Sequence, residues 1–453
     1  MKKRNSIGAY GKAYAGAYGK AYAPFLFVAA VGLLYHLCMK PMGGDDVFFS
    51  QATDNATLWE YLSGRYLNWT SRIVSEGILV TVIKVPLLWR CVDFLMFASL
   101  PVLISKLFGG GTRMNWCAAG AVLLFPFHDM GTAGWITTTV THFWPLWGMF
   151  YLALLVKKLA AEERLPPAEV LAGIPVGLMV GSHEQYAVIL FAVLVLYGFY
   201  LVKEKREPSN LPAFLSLAVT DVLSLLVIAF CPGNAGRNAV SLADLPIYET
   251  FGFGDKLYLG LLGIERVFIA NVDIVFFSVL LVWVLLVYAE TDDYKKTLIS
   301  GLPLLILFGQ SVVRTAYPGL SGLFVIPGEV LSWSWGELST WLPMAYLLIT
   351  VACMIYALFQ LFGEDLMQFF YVLILLGLGF GAGMILGFVA TIYVSGERVY
   401  APLYAILLSV TLYAVKKMTP RAEQKLHKTA GWLVMTLLAL VCLVNVGFIA
   451  LSM

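Results

Sequence analysis

The chain has 453 residues, of which 60% are hydrophobic and 13% charged, with a formal net charge of +2. Soluble globular domains carry about a quarter of their residues as charges, so the composition is not theirs. No basic patch interleaved with aromatics occurs, which argues against a nucleic-acid partner.

The mean hydropathy is +0.81, and apolar runs of about 15 to 25 residues recur along the whole chain. They are continuous rather than alternating, which rules out a β-barrel. The expected class is an all-α polytopic transmembrane protein.

Residues 1–23 contain a tandem repeat, GAYGKAYA, at Gly8–Ala15 and again at Gly16–Ala23. It is too short for a repeat fold and reads as a low-complexity cytoplasmic tail lying near headgroups. Residues 24–453 read as one transmembrane domain. The first span, 24–40, lacks a small-residue cleavage site after it, so it is a retained helix rather than a signal peptide.

The first outer loop, 41–86, contains GGDDVFFSQATDNATLWEYLSGRYLNWTSR over Gly43–Arg72. There Asp54 is expected to cap a short helix carrying Leu58, Tyr61, Leu62 and Arg65. A second amphipathic stretch runs over Thr70–Val85. Both suit helices lying in the interface plane.

Further spans follow at 87–106, 114–128, 134–156, 168–181, 185–202, 211–230, 267–289, 297–313, 340–362, 367–392, 399–415 and 429–451, about thirteen in all. Those at 114–128 and 168–181 are short enough to be tilted or re-entrant. No polar segment exceeds about 35 residues, too few for a soluble domain.

Lysine and arginine set the orientation. The basic connections are the N-terminus, Lys157–Lys158, Lys203–Arg206, Lys295–Lys296 and Lys416–Lys428. An alternating count puts all five on the cytoplasmic side. The opposite side receives Asp45–Arg72, His128–Asp129, Ser182–Glu184, Cys231–Arg237, the loop after Arg314, Ser395–Arg398 and the C-terminus.

The six cysteines, Cys38, Cys91, Cys117, Cys231, Cys353 and Cys442, form no CxxC pair and indicate neither disulfides nor zinc. The glycine run over Gly377–Gly387 lies inside a span without strand or Lys-Ser/Thr. It reads as close helix packing, not a nucleotide loop.

Asp45 and Asp46 stand side by side just after the first span. Adjacent carboxylates repel and require water, a cation or a proton. Transfer of a sugar from a lipid phosphate needs such a group to take the proton of the attacking hydroxyl. It also needs cations to hold the departing phosphate. The outer side offers Arg72, Arg237, Arg314 and Arg398 for that task, with Trp59, Tyr66, Trp69 and Trp135 as stacking faces. His128, His183, Glu184 and Asn234 are expected to line the substrate.

Each has a structural reading too. The acids can mark a solvated turn, and the arginines can anchor to headgroups. The histidines and Glu184 can serve as hydrogen-bonding partners, and Asn234 as a turn residue. Arg90 and Asp93, three apart on one helix, are expected to satisfy each other. Asp221, within an apolar run, is expected to bond a neighbouring helix and is assigned no role.

GGDDVFF directly after the first helix resembles the acidic motif of the GT-C superfamily, multispanning glycosyltransferases that use polyprenyl-phosphate sugars. RYLNWTSR (Arg65–Arg72) is similar to the Tyr-x-x-Trp-x-x-Arg pattern of a bacterial branch, with Ser71 where glycine often precedes the arginine. CPGNAGR (Cys231–Arg237) resembles its Pro-Gly-Asn-x-x-Arg loop, and SHEQ (Ser182–Gln185) its polar step with an acid.

The resemblance implies a GT-C-like fold in the bacterial plasma membrane and an inverting transfer to an envelope polysaccharide, glycolipid or lipid-linked acceptor. Asp45 is the expected base and Asp46 its orienting neighbour, with the reverse order open. Some relatives place a divalent cation near such acids. This chain has no dense ligand set, so no metal or other cofactor is expected to be essential. The runner-up is a multispanning transporter or lipid-sugar flippase, and a third reading is a structural or assembly protein.

Overall fold

The computed structural model describes residues 2–316, 333–393, 395–429 and 431–452, and among these the chain is helical with no strand. The side chains of residues 2–18 and a few others, Arg314 among them, and the loop after Arg314 lie outside the described residues. Two compact units form: Met1–Leu62, Arg72–Phe230 and Val444–Met453 in the first, and Ser63–Ser71 with Cys231–Leu443 in the second.

Unit 1 begins with α1 (Lys2–Cys38), which runs unbroken through the repeat tail and the first span. Alanine and lysine are strong helix formers, so the repeat extends the helix backward. The first outer loop folds into α2 (Asp45–Gln51), α3 (Leu58–Asn68), whose residues from Ser63 onward belong to unit 2, and α4 (Ile73–Val82). Thr57 caps α3, not Asp54. Thr57 N and Oγ1 each donate to Glu60 Oε2 at 2.8 Å, and Glu60 N donates back to Thr57 Oγ1 at 3.2 Å. This is a Thr-x-x-Glu capping box. Asp54 instead accepts from Lys84 Nζ at 2.6 Å.

The rest of the unit comprises α5 (Pro86–Leu107), α6 (Thr112–Leu124), α7 (Trp135–Thr138), α8 (Trp144–Ala160), α9 (Pro167–Gly181), α10 (Glu184–Glu204) and α11 (Leu211–Ala229). A π-turn, Thr139–Phe143, joins α7 to α8. Asp93 does not pair with Arg90. It bonds His36 Nε2 at 2.8 Å and accepts from Trp144 Nε1 at 2.6 Å, tying α5 to α1 and α8. Arg90 donates to Met39 O at 3.0 Å. A fully buried acid is best served by partners from other helices that share its burial, whereas Arg90 reaches the carbonyl just past the end of α1.

Unit 2 comprises α12 (Gly233–Asp244), α13 (Phe253–Glu265), α14 (Ile274–Glu290), α15 (Tyr294–Ala316), α16 (Leu338–Phe362), α17 (Leu366–Met384), α18 (Ala401–Lys417) and α19 (Pro420–Thr429). The last helix, α20 (Gly431–Ser452), crosses the boundary between the units in sequence. The span expected at 267–289 is broken. Phe253–Ala270 and Ile274–Glu290 meet at 75°, and Asp273 caps the second half by accepting from Phe276 N at 2.6 Å.

The glycine run packs as expected. A Cβ on Gly387 would lie 2.1 Å from Lys256 O, and one on Gly260 of α13 would lie 2.0 Å from Met384 O. Backbone meets backbone there, and neither side can yield by a rotamer change. Gly260→Ala is therefore expected to lower stability by about 1–3 kcal/mol or more. Gly377→Ala in the same run, where a Cβ meets nothing within 4 Å, is expected to be neutral. Melting temperatures of the two variants in detergent check this contrast, and equal shifts would refute it.

Among the described residues eight helices are long and apolar enough to cross a membrane, or nine if the bent pair is one span. The protein is a membrane-embedded polytopic helical protein. The expected spans at 114–128, 168–181, 297–313 and 429–451 form helices outside that set. With 13 and 15 residues, α6 and α9 reach only about 20 Å of a hydrocarbon core near 30 Å.

Candidate functional site

Asp45 and Asp46 open α2, yet their environments are opposite. Gly44, at φ +55°, turns the chain into the helix, a conformation that favours glycine. Asp46 is fully buried. Its Oδ1 accepts from Thr137 N at 2.8 Å and Thr137 Oγ1 at 2.7 Å. Its Oδ2 accepts from Met42 N at 3.2 Å and Ile136 N at 3.3 Å. A carboxylate offers about four lone-pair sites, and all four are taken.

Asp46 thus caps α7 from outside its own chain segment, where free N–H groups and the helix dipole favour an anion. Gly134, at φ +104°, makes this possible, because a Cβ there would stand 2.6 Å from Asp46 Oδ1. Asp45 is exposed, and among the described residues its carboxylate has no hydrogen bond. Its backbone N–H is fixed on Ala133 O at 2.9 Å. One acid is therefore a structural clamp, and the other a held but available carboxylate.

A second polar group in unit 1 gathers around the turn between α9 and α10. Arg72 Nε and Nη2 both donate to Glu184 Oε2, at 2.9 and 2.7 Å. Ser75 N donates to Ser182 Oγ at 3.1 Å, which fixes α4 against the same turn. His183 Nε2 lies 3.2 Å from His142 Nδ1 of the π-turn, and both rings are buried. His142 lies five residues beyond Thr137, a partner of the Asp46 clamp, on the same continuous helical path. Buried Glu76 accepts from Tyr61 Oη at 3.0 Å.

His128 and Asp129 lie in the turn Phe127–Gly131. His128 Nε2 is 3.2 Å from Asp129 Oδ1, but burial pushes the imidazole below the usual histidine range. His128 is accordingly a neutral hydrogen-bonding group near pH 7 and not a cation for a phosphate.

In unit 2 the two motifs far apart in sequence meet. A Cβ on Gly233 would lie 2.2 Å from Trp69 N and 2.7 Å from Tyr66 O, and one on Gly236 would lie 2.5 Å from Asn68 O. Cys231 Sγ donates to Tyr66 O at 3.2 Å. The Pro-Gly-Asn loop and first turn of α12 therefore lie directly on the end of α3. This places Asn234 beside the Tyr66–Trp69 segment, with Arg237 on the following turn. The guanidinium of Arg65 sits over Trp69, 5.4 Å from the ring centroid. Arg398 lies in the turn Glu397–Tyr400. The side chain of Arg314 is outside the described residues.

Of the expected residues, Asp45, Asp46, Arg72, His128, His183 and Glu184 belong to unit 1, and Tyr66, Trp69, Asn234, Arg237, Arg314 and Arg398 to unit 2. Sequence reasoning missed Thr137 and Glu76; Ser182 entered only as part of the SHEQ step, and His142 only as an acceptor contact set below a capping or interface role. Only Gly134 before an aromatic helix start signalled Thr137. A divalent cation at the acid pair does not fit the donors present: Asp46 is committed to N–H and O–H groups, leaving Asp45 alone. Among the described residues no group of three His, Cys, Asp or Glu side chains is arranged to hold a metal.

Comparison with family models, curated proteins and solved structures yields no match.

Proposed function

We propose that the protein is an inverting glycosyltransferase of the GT-C type, with about thirteen spans. It moves a sugar from a polyprenyl-phosphate carrier to an envelope polysaccharide, glycolipid or lipid-linked acceptor on the outer face of a bacterial plasma membrane. The N-terminus is cytoplasmic and the C-terminus outside. The observation that carries this reading is the split of the acid pair: Asp46 locked, Asp45 exposed and positioned, in the loop after the first span.

The acceptor hydroxyl attacks the anomeric carbon as its proton passes to Asp45. The carbon–phosphate oxygen bond breaks, and polyprenyl phosphate leaves with the electron pair. Arg72, oriented by Glu184, supplies positive charge for that phosphate. The seating of Asn234 beside Tyr66 and Trp69 supports a substrate-lining role for these three residues, while His128 serves as a neutral contact. The transfer requires no metal in this reading, and α2, α3 and α4 lie at the outer membrane interface.

A second reading, a transporter or lipid-sugar flippase, is favoured by the 75° break between α13 and α14, since broken helices mark transporter sites. The two separate in one assay. Purified protein in lipid vesicles is given a radiolabelled polyprenyl-phosphate sugar and cell-envelope extract as acceptor. The enzyme reading expects label in the glycan and an equal amount of polyprenyl phosphate. Movement of intact lipid-linked sugar between leaflets, with no transfer, would overturn it.

A further inference from the structure

Asp221 of unit 1 is an acid that the proposed chemistry does not use. Asp221 lies in the middle of α11, one of the membrane-crossing helices, and is fully buried. Among the described residues neither carboxyl oxygen has a hydrogen-bond partner, and no ion pair reaches them. The expectation that it bonds a neighbouring helix is not met.

Its surroundings explain why. Leu217, Thr220 and Ser224 of α11 pack on Gly173, Gly177 and Gly181 of α9. The hydroxyls of Thr220 and Ser224 are spent on the helix's own carbonyls, Ser216 O at 2.6 Å and Thr220 O at 2.9 Å. Phe214, Ala218 and Val222 line an apolar groove of about 220 Å³ with Phe191, Leu194 and Gly198 of α10. At 100° per residue, Asp221 falls on the strip of α11 between these two faces.

The titratable groups of the packed helices are Glu169 on α9 and Glu184, Tyr186, Tyr197, Tyr200, Lys203 and Glu204 on α10. Glu169 is paired with Lys158 and Glu184 with Arg72. Lys203 and Glu204 stand at the far end of α10. Among the described residues of α9 and α10, no cation faces Asp221.

An ionised carboxylate sealed in such a seam without a counter-charge is not tolerated, whereas the neutral acid is. We infer that Asp221 is a membrane-embedded proton-binding site: a carboxylic acid that keeps its proton at neutral pH and is reached through the apolar groove between α10 and α11. Gly181 packs against Ser224, one turn from Asp221, and leads directly into Ser182 and His183. Water drawn in by an ionised Asp221 would enter the seam that carries this turn. The inference is independent of the proposed sugar transfer.

Dicyclohexylcarbodiimide, an apolar reagent for protonated carboxyls, tests it. The acid proton passes to a carbodiimide nitrogen and the carboxylate oxygen bonds the central carbon. The O-acylisourea then rearranges to an N-acylurea, so the peptide gains the whole reagent. The full-length protein in vesicles at pH 7 is expected to carry the adduct at Asp221, mapped by peptide mass spectrometry. Labelling should fall as pH is raised, be indifferent to sodium, and vanish in Asp221→Asn. The infrared band of a protonated carboxyl should disappear in the same variant, which preserves shape and is expected to fold. An unlabelled Asp221, protection by sodium, or an unchanged infrared band in Asp221→Asn would overturn the inference.

Discussion

Asp45→Asn is expected to slow sugar transfer by about 10²–10⁴-fold, the range that loss of a general base costs, while melting temperature and expression stay at wild-type values. The asymmetry follows from the geometry. Asp45 is exposed, and among the described residues its carboxylate accepts no hydrogen bond, so replacing an oxygen by an amide nitrogen breaks nothing in the fold. What is lost is the ability to take a proton. The loss should fall on kcat, with the KM for the lipid-linked donor little changed, because the carboxylate acts on the acceptor hydroxyl. Asp45→Glu keeps the base but displaces it by a methylene and should retain an intermediate rate. Initial rates across donor concentrations check both variants. Full activity in Asp45→Asn would remove the base from this position and with it the proposed chemistry.

Much of the helical framework was legible because apolar periodicity and length are properties of the chain itself. Close packing somewhere along the Gly377–Gly387 run was legible too, since glycine in a span has few uses other than close approach, but its partner at Lys256 O was not. The Thr57–Glu60 capping box was present as Thr-x-x-Glu. It was missed in favour of Asp54, whose partner Lys84 is 30 residues away and carries no local signal. The break at residues 271–273 was marked by Asn-Val-Asp inside an apolar run, but averaging hydropathy over a window erases a three-residue interruption.

Pairings between distant segments were not legible at all. Asp93 chose His36 and Trp144 over the nearby Arg90. The same holds at the candidate site. Sequence could propose that Asp45 and Asp46 act as a pair. Only the fold divides them, because the division depends on Thr137, some ninety residues on.

Asp46 is expected to give the opposite result to its neighbour: a loss of stability first, and of activity only as its consequence. Asp46→Ala removes the acceptor for Met42 N, Ile136 N, Thr137 N and Thr137 Oγ1. Losing a helix cap costs about 0.5–2 kcal/mol, and each donor left buried without an acceptor adds roughly 1–3 kcal/mol unless water enters. Water can relieve part of this, so about 2–4 kcal/mol is expected in total. Asp46→Asn should cost less but not nothing, since its amide points a donor at donors wherever it is turned. Removing the hydroxyl partner in Thr137→Val should itself be destabilising, and the double variant with Asp46→Asn should lose less than the sum of the singles, because both act on one cluster. Denaturant unfolding in detergent measures these differences. If Asp46→Ala is as stable as the wild type, the clamp is not what holds Asp45 in place. If Asp46→Asn keeps its stability and loses transfer, the base belongs at position 46, and the buried acid would have to open to substrate during the reaction.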